Sequence, residues 1–360
     1  MPAAAPAPRT IRPIRAALAI ASAVTMLAAC GGSSSAGAQP APTVTATAVA
    51  SPSAAVSASA SSSAGTPPAI VAVTTAGALV TLRPATGAVS RTLVPGGVLG
   101  DEISVASDGS IVYFAHGLGG CASEIESVPV GGGTPVSITS GSLPAISPDG
   151  TKLALAREPP PTAGCMPSEA HLTAQYKLVV RTVSTGAETT YHMLPAGQSS
   201  GLPAPISHLS WASDNSRLAV SISSVQDNEG WNVVVVDTAA ARYYLAGPGD
   251  SAVPVTGRPD ARRSYLREGV FLPNGALFVS RACCGGVPVR NTSRLMWEVN
   301  SSGVLVHQVA IGFANLDHTS LDANTSGHWL LYLAGTDLYV SRGGARPRKL
   351  ATHLIAAAWG

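Results

Sequence analysis

One hairpin, met again and again along the sequence, constrains the fold more than any other feature. Residues 143–157 read LPAISPDGTKLALAR. Ser147 suits the first position of a type I turn, Pro148 presets φ at the second and Gly150 suits the fourth. The apolar runs on either side then read as two strands. Related stretches are EISVASDGSIVYFA at 102–115, ISHLSWASDNSRLAVSI at 206–222, EGVFLPNGALFVSR at 268–281 and, more loosely, HTSLDANTSGHWLLYLA at 318–334. Registered on the turn, a bulky column holds Val105, Ile146, Trp211, Phe271 and Leu321, each after a smaller residue: Ser104, Ala145, Ser210, Val270 and Ser320. Three residues past the glycine position stand Val112, Leu153, Leu218, Phe278 and Leu330, each followed by a second residue suited to burial. Two successive apolar residues imply a strand covered on both faces, as in the middle of stacked sheets.

A second hairpin follows each of these, as in ESVPVGGGTPVSIT at 126–139 and LYVSRGGARPRKLA at 338–351, and a sixth, LVTLRPATGAVSRTLV, stands at 79–94. Two hairpins make a four-stranded sheet, and repetition at roughly 40–65 residues points to a propeller or array. The unit at 69–96 lacks a first strand, and HLIAAAWG at 353–360 supplies one, with Trp359 in the bulky column and Ala358 in the small one. The reading is an all-β, six-bladed β-propeller of four-stranded blades over 69–360, its ring closed where the C-terminal strand joins the N-terminal blade. A linear array would leave AIVAVTT at 69–75 as an exposed edge, which native sheets avoid.

Ahead of this domain lie two segments of other kinds. Arg9, Arg12 and Arg15 precede the apolar run ALAIASAVTMLAA, which has signal-peptide length. The run ends in Leu27-Ala28-Ala29-Cys30, which resembles a bacterial lipobox. That resemblance implies a signal peptide over 1–29, acylation of Cys30 and attachment to a bacterial cell membrane on its extracytoplasmic side. Each buried methylene of such acyl groups adds about 0.8 kcal/mol of membrane affinity. Residues 31–68 are Ser, Ala, Thr, Pro and Gly-rich without charge or aromatic rings, so with Cys30 they read as a lipidated, disordered linker over 30–68. The formal charge of +2 falls to −1 once the three leader arginines are removed. With no basic run, nucleic acid is not an expected partner.

The A-x-S-P-D-G-x-x-apolar-A pattern at 145–154, with its degenerate copies, resembles the TolB-type repeat, also called the WD40-like β-propeller repeat. The resemblance covers essentially all of 69–360. It implies a six-bladed propeller exported across the membrane and used for protein contacts. The copies depart from the pattern at Asp214-Asn215, at Asn274-Gly275 and in an expanded turn at 324–327, and no N-terminal partner domain of the TolB type is evident.

Chemistry-bearing motifs are sparse. There is no Gly-x-Ser-x-Gly elbow, no His-Glu-x-x-His and no Asp-rich calcium loop, so no catalytic residue, metal site or cofactor is assigned. Glu102, His208, Glu268 and His318 share one column three residues before the bulky position, which makes them candidates to line the central channel. After Cys30 four cysteines remain, Cys121, Cys165, Cys283 and Cys284, all in loops between second and third strands. Four cysteines allow three connectivities. Neighbouring blades favour Cys121–Cys165, with Cys283–Cys284 bridged vicinally or reduced, since a bridge needs Cα atoms within about 7 Å. The long insertions at 158–171, 224–230, 248–269 and 281–293 all open on the same face, and such gathering marks a binding face. The leading expectation is therefore a lipid-anchored binding or scaffold module for a protein or envelope component. Its rival is a propeller enzyme, a lyase or hydrolase, with a site in the channel mouth.

Overall fold

The computed structural model describes residues 69–119, 122–157, 177–192, 206–222, 232–238, 264–283, 296–299, 305–309, 318–324, 326–342 and 346–360. Among them no helix is long and apolar enough to cross a membrane. The segments expected at 1–29 and 30–68, and nearly all of the long insertions, lie outside the described residues.

All regular structure is antiparallel sheet. The strands β1 (Ile70–Thr74), β2 (Leu79–Leu82) and β3 (Val89–Val94) belong to one sheet, and β4 (Val98–Val105), β5 (Ile111–Gly119), β6 (Ala122–Pro129) and β7 (Val136–Ser140) form the next. A third contains β8 (Ser142–Ile146), β9 (Lys152–Arg157), β10 (Lys177–Thr182) and β11 (Glu188–His192). A fourth contains β12 (Ile206–Trp211), β13 (Arg217–Ile222) and β14 (Asn232–Asp237). Then come β15 (Ser264–Phe271), β16 (Leu277–Cys283), β17 (Met296–Val299) and β18 (Leu305–Val309). The last consecutive set is β19 (His318–Ala323), β20 (Trp329–Ala334), β21 (Asp337–Arg342) and β22 (Arg348–Ala351). The final strand, β23 (Leu354–Trp359), returns to the start and pairs with β1, Ile70 opposite Trp359, in the order β23-β1-β2-β3. Of the expected six four-stranded blades, five are present with all four strands among the described residues. Five sheets have four strands, and β12-β13-β14 has three among the described residues, since 239–263 lie outside them.

The doubly apolar strands do what their pattern implies. In β1, Ile70 and Ala72 enter one core cluster while Val71 and Val73 enter another, and all four are fully buried. In β9, Leu153 and Leu155 face Tyr113 and Ile125 of the preceding sheet, while Ala154 and Ala156 face Trp211 and Leu218 of the following one. Each core cluster therefore lies between two successive sheets. The cluster of Leu331, Leu333 and Leu338 with Ile70, Val80 and Trp359 joins β20 and β21 to the first sheet. Deleting a buried leucine from such a layer costs about 2–5 kcal/mol, because the flanking sheets close the gap only in part.

The turns fix the register. Gly109, Gly150, Gly275 and Gly327 all adopt positive φ (69°, 71°, 81° and 68°), and Asn215 takes the same place at 57°. Asparagine tolerates this left-handed conformation better than most residues that carry a Cβ. Gly327 in this column shows that the turn at 324–327 is not expanded. The extra residues sit upstream, in a bulge of β19 between Thr319 and Asp322, so Ala323 and Asp322 take the pre-turn places expected for Leu321 and Ser320. In the fifth sheet Phe271 pairs with Leu277 rather than Phe278, because that turn is one residue shorter.

Candidate binding cavity

Six strands, one from each sheet, bring corresponding ends around a cavity of about 280 Å³: β4, β8, β12, β15, β19 and β23. Their free edges face it for a reason that the ladder makes plain. Ala106, Ser147, Ala212, Leu272, Asn324 and Gly360 each donate their N–H to the second strand or its flank at 2.7–3.0 Å. In an antiparallel ladder the residue before such a bonded position turns its own N–H and C=O the other way. Those residues are Val105, Ile146, Trp211, Phe271, Ala323 and Trp359, so one level of the cavity presents six backbone N–H groups and six backbone carbonyls.

Side-chain oxygens occupy four of these six donors, three of them from the neighbouring sheet. Ser104 Oγ accepts from Ile146 N–H at 3.0 Å and Ser210 Oγ from Phe271 N–H at 3.0 Å. Asp322 accepts twice, through Oδ2 from Trp359 N–H at 2.8 Å and through Oδ1 from Ala323 N–H at 2.8 Å. Where the small column holds alanine, at 145 and 358, it has no acceptor to offer. At 145 the link runs backwards, with Trp211 Nε1–H donating to the Ala145 carbonyl at 2.9 Å. Half of the small column, Ser104, Ser210 and Asp322, therefore fastens one sheet to the next, and the polarity of those positions has a structural cause.

Of the four residues expected in the channel, the structure brings one to the cavity. His208 is buried on β12 and lines it. Glu268 is buried too, and its carboxylate accepts from Leu321 N–H at 3.0 Å, so it serves to bind β15 to β19. Glu102 and His318 lie on β4 and β19, and their side chains are outside the described residues. With the register of β19 corrected, Ser320 rather than His318 occupies that column. Asp322 is the functional candidate that the sequence reading missed. Burial pushes its carboxyl up to about 6, against the two N–H bonds and the favourable field of His208. The signal was present in Asn324-Thr325-Ser326-Gly327, which aligns with Ala106-Ser107-Asp108-Gly109 once the bulky Leu321 is set aside.

Cys30, Cys121, Cys165 and Cys284 lie outside the described residues, and Cys283 is placed only as the backbone end of β16. Among the described residues no group of three His, Cys, Asp or Glu side chains is arranged to hold a metal ion.

Sheets arranged radially, inner strands around a cavity and hairpins turning at one pole define the class: this is an all-β propeller. The protein is similar to TolB from Acinetobacter baumannii, with a TM-score of 0.53 and 13% identity over 81% of its own length and 65% of the TolB sequence. It is also similar to one component of a nidogen/laminin complex, with a TM-score of 0.52 and 10% identity over 81% of its own length and 97% of that component. A TolB from Agrobacterium tumefaciens, itself assigned only provisionally, aligns at 12% identity over 80% and 89% of the two proteins with a TM-score of 0.49. The present protein thus spans about two thirds of the A. baumannii TolB, and at these identities the likeness is one of fold. The sequence matches no family model and no curated protein sequence.

Proposed function

We propose that this protein is a binding module: a six-sheet ring, closed by the β1–β23 pair, that works outside the cytoplasm on a lipid anchor at Cys30 and a linker over 31–68. The observation that carries the binding reading is the cavity, which is built by all six inner strands and walled largely by apolar groups and backbone. Such a concave site, where apolar side chains meet convergent polar groups, is what small ligands and anchoring side chains occupy. The closed ring is supported by the terminal strand pairing and by a core cluster joining the last consecutive sheet to the first. A protein or envelope component remains the proposed partner class, with TolB-type propellers as the fold-level analogue.

The enzyme reading has one observation behind it, the presence of His208 and Asp322 around one cavity. Each Asp322 oxygen, however, already accepts a backbone N–H. That arrangement suits a fastener and a fixed charge better than a proton shuttle.

Photocrosslinking in intact cells tests the binding site. A photoreactive residue at Ser213, on the cavity rim, is expected to give a discrete adduct, and one at Thr92 on the exposed outer strand β3 is expected to give none. Equal labelling from both positions would remove the cavity as the site. The anchor is tested separately: Cys30→Ala is expected to stop lipid processing and release the protein from membranes.

A further inference from the structure

We propose that the cavity takes an alkylammonium group, held by the ring of backbone carbonyls with Asp322 as the counter-charge. This deepens the binding reading above and rests on it. Hydrogen-bond supply in the cavity favours a donor. At the level of the six inward-facing residues, the N–H groups of Ile146, Phe271, Ala323 and Trp359 are already taken by hydroxyl and carboxylate acceptors. By the alternation of the ladder, the six carbonyl oxygens of Val105, Ile146, Trp211, Phe271, Ala323 and Trp359 turn away from their partner strands and toward the cavity. At that backbone level six carbonyls therefore face the cavity against two remaining N–H groups, those of Val105 and Trp211. An ammonium has three donors and no acceptor.

Charge points the same way. The described side chains lining the cavity include no lysine or arginine, one carboxylate, Asp322, and one imidazole, His208. A carboxylate that already accepts two N–H bonds retains lone pairs for a further donor. Desolvation disfavours its charged form, and a bound cation offsets that cost. The rest of the wall, with Ile103, Leu209, Leu272 and Ala357, offers apolar contact to an alkyl group. A volume of about 280 Å³ excludes a folded segment and admits a short amine or the end of a lysine side chain. A free amine and a partner's lysine present the same group, so the test separates them.

The experiment is a titration of the full-length protein in detergent micelles with n-butylammonium, butyrate and 1-butanol, followed by ligand-observed NMR. Preferential binding of n-butylammonium is expected, at least tenfold weaker in Asp322→Asn and abolished in Ser213→Trp, which fills the rim from an exposed turn and leaves the sheet ladders intact. If Asp322→Asn does not fold, as judged by circular dichroism, the Ser213→Trp arm carries the test alone. Nα-acetyl-lysinamide binding more tightly than n-butylammonium would assign the site to a partner's lysine, and the reverse order to a free amine; either order supports the proposal. Butyrate or butanol binding as well as the amine, or displacement of the amine by equimolar potassium chloride, overturns the ammonium assignment and leaves the cavity a ligand site. No binding by any of the four probes overturns both.

Discussion

Trp211 and Trp359 occupy the same register position in different sheets, and the comparison shows how one fold solves one seam in two ways. Both are 6% exposed and both end an inner strand. Trp211 spans to the preceding sheet with its indole N–H on the Ala145 carbonyl, and the ammonium of Lys152 lies 5.7 Å from its ring centroid. At the β23 seam the roles are exchanged. Asp322 reaches across to the backbone N–H of Trp359, while the Trp359 indole packs at 6.4 Å and 59° on Trp329 and its Nε1 finds no partner among the described residues. A neutral small residue forces the tryptophan to make the polar link. An acidic one takes it over and leaves the indole as packing alone.

The largest effect that breaks this comparison is removal of one seam altogether. Deleting 353–360 strips β23 from β1 and empties the Trp359 position, and loss of cooperative unfolding by circular dichroism is expected; an unchanged melting temperature would show that the β1–β23 pair contributes nothing to stability. Next come Trp211→Ala and Trp359→Ala, each expected to cost about 3–5 kcal/mol in chemical denaturation because a large buried ring is lost.

The third effect is one of pH and belongs to the β23 seam only. Asp322 binds its proton more tightly folded than unfolded, with a carboxyl raised from 3.8 to about 6. Its contribution is therefore fully present below the unfolded value and lost as pH rises through about 6, a loss on the order of 3 kcal/mol. Asp322→Asn is expected to flatten that part of the stability profile between about pH 4 and 6, whereas Trp211→Phe leaves the slope as it is. The smallest effect sharpens the polar contrast. Trp211→Phe abandons the bond to Ala145, while Trp359→Phe removes an N–H that is buried without an acceptor, so the former should be the more destabilising by about 1–2 kcal/mol in paired denaturation curves.

Much of the architecture was legible because turn chemistry and two-sided burial are written locally. Pro148-Asp149-Gly150 and its copies mark the hairpins, and the second strands carry adjacent apolar residues wherever two sheets press on one strand. Register was less legible in β19, where Leu321 looks like the pre-turn residue and a bulge moves that role to Ala323. A bulge adds a residue without changing composition, so no periodicity betrays it. The site was least legible. His208 stands in the channel column, but Asp322 stands in the small column two places further on, and the six carbonyls belong to no particular residue type at all.

The pairing of β1 with β23 joins the beginning of the domain to its end, and that has a consequence for synthesis. A polypeptide delivered from its N-terminus presents Ile70–Thr74, a fully apolar run but for its last residue, long before its partner arrives. The entropy of closing so large a loop must be met in one late step. Until then the edge of the first strand is an adhesive surface. In a protein of this topology the arrival of Leu354–Trp359 beside β1 is therefore expected to be the last step of folding.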